Sequence, residues 1–219
     1  MSDPWTLAEI DVDGALREAG ERVDRNTRLA FLRKAGLGAG AVAMSGSVAA
    51  LLPAVASAGT AKSDVAVLNF ALTLEYLEAA FYAEAKTHAG GWDAATKSFA
   101  HVVAKDEAAH VAFLKGALGS AAVKKPRFDF KGTTADVKKF RATAQVLEDT
   151  GVAAYAGQGG IIKSKQILAA AVSVLTVEAR HAAWIRHIIG VEPAPAAFDK
   201  AQTKAQILAT VQGTGFIVG

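Results

Sequence analysis

Hydrophobic and polar positions alternate with a helical period through most of the chain after residue 60. Between Leu68 and Tyr82 the apolar side chains return every three or four residues, which is the spacing of one face of an α-helix. The same spacing, interrupted at glycine pairs, predicts four long helices over about residues 64–86, 92–118, 134–157 and 163–189. Asp64 is the expected N-cap of the first. A short helix over about 199–211 and an apolar tail, 216–218, complete the pattern.

The lengths of the connections predict how these helices pack. The first and third connections are short, so each joins neighbouring antiparallel helices. The connection over 119–133 is longer and reaches at most about 50 Å when extended, whereas a helix of 24 residues is about 36 Å long. It can therefore return along the whole bundle. The sequence predicts an all-α four-helix bundle of two facing hairpins with a long second-to-third-helix connection.

Two Glu-x-x-His motifs lie on the apolar faces of the second and fourth predicted helices. They are Glu107 with His110 and Glu178 with His181, and 71 positions separate the corresponding residues. Residues at i and i+3 lie on the same face of a helix. Both motifs can therefore direct a carboxylate and an imidazole to the same point in the bundle interior.

The first and third predicted helices carry a second repeated pair. Glu75 is followed by Tyr82 and Glu148 by Tyr155, each pair seven residues apart, and 73 positions separate the two glutamates. Residues at i and i+7 lie only about 20° apart around a helix. The nearly equal offsets of the two kinds of pair indicate that the chain is an internal two-fold repeat.

This set of side chains is typical of a dinuclear metal site in a bundle, which takes one Glu from each of two helices and Glu-x-x-His from each of the others. Burying four carboxylates without cations would be very costly. We expect one ion at Glu107 and His110 and the other at Glu178 and His181. Glu75 and Glu148 are expected to complete or bridge the two sites. The two tyrosines, Tyr82 and Tyr155, are expected to have a catalytic role, through hydrogen bonds to the ligands or redox contact.

One further acid and three further histidines need placing. Glu78 lies about 60° around the helix from Glu75 and is an alternative or additional ligand, but only Glu75 has a tyrosine at the repeated spacing. His101 and His187 are predicted to lie on the surface, and His88 lies near the Gly90 break, where a cation at a helix C-terminus is mildly favourable. The basic residues of the 119–133 connection, at 124, 125 and 127, lack interleaved aromatic residues. We therefore expect no nucleic-acid partner.

Composition narrows the choice of metal. The chain has 24 Lys and Arg against 21 Asp and Glu, a formal net charge of +3, so charge gives little reason to expect a polyanionic partner. It contains no cysteine, which excludes disulfides and thiolate ligands. Carboxylates with two imidazoles suit iron or manganese. We expect two Fe ions, with Mn as the alternative, and O₂ or peroxide as the reactant.

The first 58 residues have the pattern of an export leader. Four basic residues between 25 and 34 precede a stretch without charge, 35–61, which contains the triplet Ala56-Ser57-Ala58. A basic segment, an apolar segment and a small-residue terminus are typical of a signal peptide. We expect residues 1–58 to be the leader, removed after Ala58, and residues 59–219 to form the bundle.

Details of the leader leave other interpretations open. Residues 27–34 resemble a twin-arginine export signal, but Leu29 stands in place of the second arginine, and the first 24 residues carry seven acids. The apolar stretch, 35–58, is long enough to contact or span a membrane, and a retained assembly segment is a third alternative. The expected location is outside the cytoplasm: periplasmic, at the cell surface or secreted, with a membrane anchor if the leader is kept.

At the ligand motifs the chain resembles a known family. Residues 68–82, 106–114, 148–155 and 177–183 look like the four helices of the secreted ferritin-like proteins that include the desiccation-related proteins. More distantly, the Glu-plus-Tyr and Glu-x-x-His pattern is similar to bacterioferritin and rubrerythrin. The resemblance covers about residues 62–195 and implies a ferritin-like fold with a carboxylate-bridged di-iron or di-manganese site. It implies no settled reaction.

The sequence thus supports three functional hypotheses. The leading one is a non-haem di-iron, ferroxidase-like protein that reacts with O₂ or peroxide and protects against iron or oxidative stress. The second is a structural or protective stress protein in which the metal only stabilises the bundle. The third is an oxygenase, which would need a substrate-sized pocket beside the metals. A homo-oligomer is compatible with all three.

Overall fold

The computed structural model describes residues 61–218. The predicted leader, its cleavage point after Ala58 and the membrane-length stretch 35–58 therefore lie outside the described residues. Within them the chain forms five α-helices: α1 (Lys62–His88), α2 (Ala94–Leu118), α3 (Val137–Gly159), α4 (Lys165–Ile188) and α5 (Lys204–Thr214). Short 3₁₀ turns, Ala89–Gly91 and Gly119–Ala121, follow α1 and α2. The all-α prediction is confirmed.

Side-chain caps decide where the helices begin. Asp93 caps α2 by accepting the backbone N–H of Thr96, and Asp136 caps α3 in the same way. Both helices consequently begin two or three residues after the predicted starts. A capping aspartate has an extended backbone and satisfies N–H groups that have no partner inside the helix.

The expectation that Asp64 caps α1 is wrong. Ala61 is the N-cap of α1 and supplies no side-chain hydrogen bond. Asp64 lies in the first helical turn, is 1% exposed, and accepts the backbone N–H groups of Lys163 and Ser164 at 2.8 and 2.9 Å. Because Ser164 is the N-cap of α4, Asp64 ties the start of α4 to the start of α1.

Asp64→Ala is expected to destabilise the bundle by about 1–3 kcal/mol, because it leaves two N–H groups without their acceptor. Thermal unfolding of the full-length chain measures this as a fall in Tm. Asp129→Ala is the matched control, since Asp129 also accepts a backbone N–H, from Lys131, but lies on the surface. Equal losses in the two variants would contradict the tie between α1 and α4.

The helices form two antiparallel hairpins, α1 with α2 and α3 with α4, and the long connection runs beside α1. Asn69, near the start of α1, donates to the carbonyl of Ala121 at 2.9 Å. At the other end of α1, Thr134 donates to the Glu84 carboxylate at 2.5 Å. The connection therefore returns along the bundle, as predicted, and α3 runs antiparallel to α1.

The apolar tail covers this connection. Asp129 donates its N–H to the carbonyl of Phe216, and Val218 donates to the carbonyl of Arg127. Phe128 and Ile217 form an isolated antiparallel bridge. Apolar clusters fill both halves of the bundle interior, and the polar residues described next lie between them.

Candidate metal centre

The structure brings all six predicted ligands together at the middle of the bundle. The four glutamates, Glu75, Glu107, Glu148 and Glu178, have no exposed surface, and the two histidines are also buried. Their ligand atoms form two groups, each with all its atoms within 4.8 Å of one another. The first group consists of Glu75, Glu107, His110 and Glu178; the second consists of Glu107, Glu148, Glu178 and His181.

The shared carboxylates come from α2 and α4. Glu107 and Glu178 belong to both groups, whereas Glu75 and Glu148 each belong to one. Nδ1 of His110 lies 3.0 Å from Oε2 of Glu107, and Nδ1 of His181 lies 3.2 Å from Oε1 of the same carboxylate. Of the two alternatives expected for Glu75 and Glu148, this grouping favours completing one site each over bridging the two sites. The two oxygens of Glu107 face opposite histidines, so this carboxylate, like Glu178, could contribute to both sites.

The hydrogen-bonding state of the site fits bound cations. Buried polar atoms are almost always hydrogen-bonded. Yet five atoms of this site have no hydrogen-bond partner: Oε1 of Glu107, Oε2 of Glu148, both oxygens of Glu178 and Nδ1 of His181. These are atoms that ligate metals. Four carboxylates also carry the charge that two divalent cations would neutralise.

Without a bound cation, the charged form of the shared carboxylates is electrostatically unfavourable. Burial raises the pKa of Glu107 to about 7, and Glu75 adds to the rise. Burial and the nearby Glu107 raise the pKa of Glu178 well above its ordinary value. Burial acts against a proton on His181, but the Glu107 and Glu148 carboxylates, each 3.2 Å from its Nδ1, outweigh this and raise its pKa to about 11. Protons therefore partly take the place of cations in the metal-free site.

The two tyrosines hold the unshared carboxylates crosswise between α1 and α3. Tyr82 of α1 donates its hydroxyl to Glu148 of α3, and Tyr155 of α3 donates to Glu75 of α1. Burial, with the charge of these carboxylates, raises the pKa of both phenols. They consequently remain neutral donors that orient Glu75 and Glu148.

Asp106 is a site residue that the sequence analysis missed. Its carboxylate lies 3.2 Å from Nε2 of His181, on the side of the ring facing away from Glu107 and Glu148. A carboxylate at this place fixes the orientation of a metal-binding imidazole. In the internal repeat Val177 corresponds to Asp106, so the two halves differ here. The only sequence signal was the position of Asp106 beside Glu107.

Glu78 is buried at the crossing of α1 and α3, outside both ligand groups. It is 3% exposed, and burial, followed by the charges of Glu178 and Glu107, raises its pKa well above the ordinary value. Its counterpart in the repeat is Gly151. A Cβ atom at 151 would lie 2.6 Å from Oε2 of Glu178 and 3.4 Å from Oε1 of Glu78. Gly151 therefore leaves room for both carboxyl groups.

Gly151→Ala is expected to displace the end of the Glu178 side chain and to lower metal affinity by about 10-fold or more, as for disturbed outer partners of a ligand. The fold should survive, because the contact is with the end of a flexible side chain and alanine favours helix. Metal titration and metal-free thermal unfolding separate the two effects. Gly116→Ala is the control, since a Cβ there meets nothing within 4 Å; equal affinities in the two variants would contradict the prediction.

The remaining histidines, the basic residues of the long connection and Trp184 lie outside the centre. The three remaining histidines, His88, His101 and His187, are exposed, as are the basic residues at 124 and 125. Trp184 is partly buried and packs edge-on against Phe99, with ring centroids 5.3 Å apart. None of these residues contributes to the two ligand groups.

Comparison with known sequences agrees with the architecture. No curated protein matches the chain significantly. The sequence profile of the ferritin-like domain matches residues 63–191, which include nearly all of α1, the whole of α2, α3 and α4, and every ligand described above. Since this match covers more than half of the chain, the protein belongs to the ferritin-like domain family.

Proposed function

We propose that this protein binds two iron ions and oxidises Fe(II) with O₂ or peroxide. The observation that carries the proposal is the pair of four-residue groups that share Glu107 and Glu178. Two Fe(II) ions held by these groups would each supply one electron, so together they could reduce one molecule of oxidant by two electrons. An oxygen-rich set with two imidazoles favours Fe or Mn over thiophilic metals.

The chain's own residues would bind and position the ions. His110 and Glu75 would hold one ion and His181 and Glu148 the other. When bound, Fe(II) would supply the electrons for reducing the oxidant. Tyr82 and Tyr155 would keep the unshared carboxylates oriented, and Asp106 would keep the His181 ring in place. The buried carboxyl of Glu78 could hold a proton close to the centre.

Anaerobic titration of the full-length chain with Fe(II), followed by addition of O₂, tests the proposal. We expect two Fe(II) per chain and O₂ consumption. His110→Ala, which removes a ligand from one group, should bind fewer than two Fe(II) and lose O₂ consumption. His101→Ala, on the exposed side of the same helix, should bind two Fe(II) and consume O₂ as the wild type does. A chain that binds no Fe(II), or that binds two without consuming O₂ or peroxide, would overturn the oxidase function. Two Mn(II) bound in preference to Fe(II) would overturn the choice of metal.

A structural role is the second candidate. The buried, unpaired carboxylate oxygens favour it as much as they favour catalysis, because any divalent ion would relieve their repulsion. This role predicts that Fe(II) and Zn(II), of which only Zn(II) is redox-inactive, raise the Tm by the same amount and that no oxidant is consumed. The comparison distinguishes a metal that stabilises the bundle from one that turns over.

The biological setting is also a proposal and rests on sequence motifs. The basic and apolar pattern of residues 1–58 supports export, with anchoring in a membrane if the segment is kept. A protective role against iron or oxidative stress is part of the same proposal and would follow from the oxidation of Fe(II). N-terminal sequencing of the mature protein tests removal of the leader: a chain that begins at Gly59 supports it, and an intact Met1 contradicts it.

A further inference from the structure

The side chains that surround the two tyrosines differ between the two halves of the bundle interior, whereas the ligand residues of the two halves match. Around Tyr82 the space is filled by aromatic rings: Phe81, Phe99 and Phe140 have ring centroids 5.2, 5.8 and 5.9 Å from that of Tyr82. All three are fully buried. This end of the site is therefore closed by close-packed side chains.

The internal repeat identifies the residues around Tyr155 that correspond to the three rings around Tyr82. The same offsets of 73 and 71 positions that relate the ligands pair Phe81 with Ala154, Phe140 with Val67, and Phe99 with Ala170. Three rings around Tyr82 are thus replaced around Tyr155 by two methyl groups and an isopropyl group. Ala154, Val67 and Ala170 all line one apolar cavity.

The cavity is small, apolar and close to the metal centre. Its volume is about 20 Å³, slightly more than the 10–15 Å³ that one water molecule needs. Ala71, Leu114 and Val174 also line it, each four positions, or about one helical turn, from a ligand residue. Tyr155 lines it too and donates its hydroxyl to Glu75. The cavity thus adjoins the ion site of Glu75 and His110.

The polar groups of the lining argue against water as the occupant. A buried water requires two to four polar partners. The Tyr155 hydroxyl already donates to Glu75. Gln158, which is 6% exposed, contributes an amide whose Nε2 has no hydrogen-bond partner; its counterpart in the repeat is Ala85. Within the described residues the lining otherwise consists of apolar side chains. One unpaired donor suits a small molecule that is apolar or carries a single weak acceptor.

We propose that this cavity is a binding site for one dioxygen-sized apolar molecule and that O₂ reaches the centre from the Tyr155 end. The binding step stands independently of the proposed function, whereas delivery of O₂ to bound ions rests on it. The volume is too small for the substrate of an oxygenase, so the cavity serves a diatomic reactant. The aromatic packing around Tyr82 closes the opposite approach.

Methyl NMR of the full-length chain under N₂ and under O₂ tests the binding step, with Zn(II) as a diamagnetic and redox-inactive metal. Dissolved O₂ is paramagnetic and speeds the relaxation of nearby nuclei. We expect a larger effect at Val174 and Leu114 than at their counterparts in the repeat, Val103 and Ile185. Equal effects at the two ends, or none at either, would overturn the proposal without bearing on iron oxidation.

Exchange of side chains between the two ends sharpens the test. Ala170→Phe places a ring where the other half has Phe99 and should abolish the relaxation effect at Val174. Phe99→Ala should create a similar effect at Val103, and Phe99→Leu serves if the larger change unfolds the chain. With Fe(II), Ala170→Phe should still bind two ions but consume O₂ more slowly. Unchanged consumption would overturn delivery through the cavity while leaving the proposed oxidation intact.

Discussion

Glu107→Gln is expected to weaken the binding of both ions, whereas Glu148→Gln should weaken the binding of only one. The oxygens of Glu107 face the two histidines separately, so its loss removes a ligand from each group. Glu148 belongs to one group alone. We expect an affinity loss of more than about 100-fold for each affected ion, beyond the 10–100-fold typical of outer partners. Anaerobic Fe(II) or Mn(II) calorimetry would show no tight step for Glu107→Gln and one remaining step for Glu148→Gln.

The control for these variants is Glu192→Gln, a charge-removing change on the exposed surface. It should bind two ions as the wild type does. The shared position of Glu107 would be contradicted if its variant lost a single ion or if the two site variants behaved alike. Because glutamine has nearly the same shape as glutamate, a loss of binding would reflect the missing charge rather than a cavity.

Metal-free protein is expected to become less stable as the pH rises from 5 to 8. The pKa of Glu107 is about 7 in the fold against an ordinary value of 4.5, so between these values the folded chain keeps a proton that the unfolded chain has lost. Stability therefore falls with rising pH, and the pKa difference of Glu107 alone contributes about 3 kcal/mol to this fall. The pKa of His181, raised from 6.5 to about 11, acts with the same sign above pH 6.5. Thermal unfolding across this range measures the effect.

Bound metal should reverse the fall in stability with rising pH, because the ions replace protons and bind more tightly as the pH rises. An ion present at 100 times its Kd stabilises the fold by about 2.7 kcal/mol, or about 5–11 °C in Tm for a domain of this size. Glu107→Gln should flatten the metal-free curve between pH 5 and 7. A metal-free Tm that is constant or increases over this range would contradict the charge distribution described for the centre.

Much of the fold could be predicted because its signals are local. Periodic apolar positions predicted the four helices and the length of the long connection predicted its course beside α1. The errors were also local: Asp64 has the side chain of an N-cap, but it turns to the N–H groups of residues 163 and 164 on another helix. The spacing of residues within one segment gives no information about a hydrogen-bond partner on another helix.

The candidate centre shows the same division between features that local spacing predicts and features that depend on contacts between helices. The sequence by itself determined which residues face the interior, because Glu-x-x-His and the Glu–Tyr spacing place side chains on one side of a helix, and the repeat made the set complete. Only the tertiary structure decided that Glu107 and Glu178 are shared, that Asp106 supports His181, and that Glu78 lies opposite Gly151. It also decided that the small residues around Tyr155 leave a cavity. These features depend on how closely and at what height the helices cross, and helical periodicity within a single segment carries no information about either.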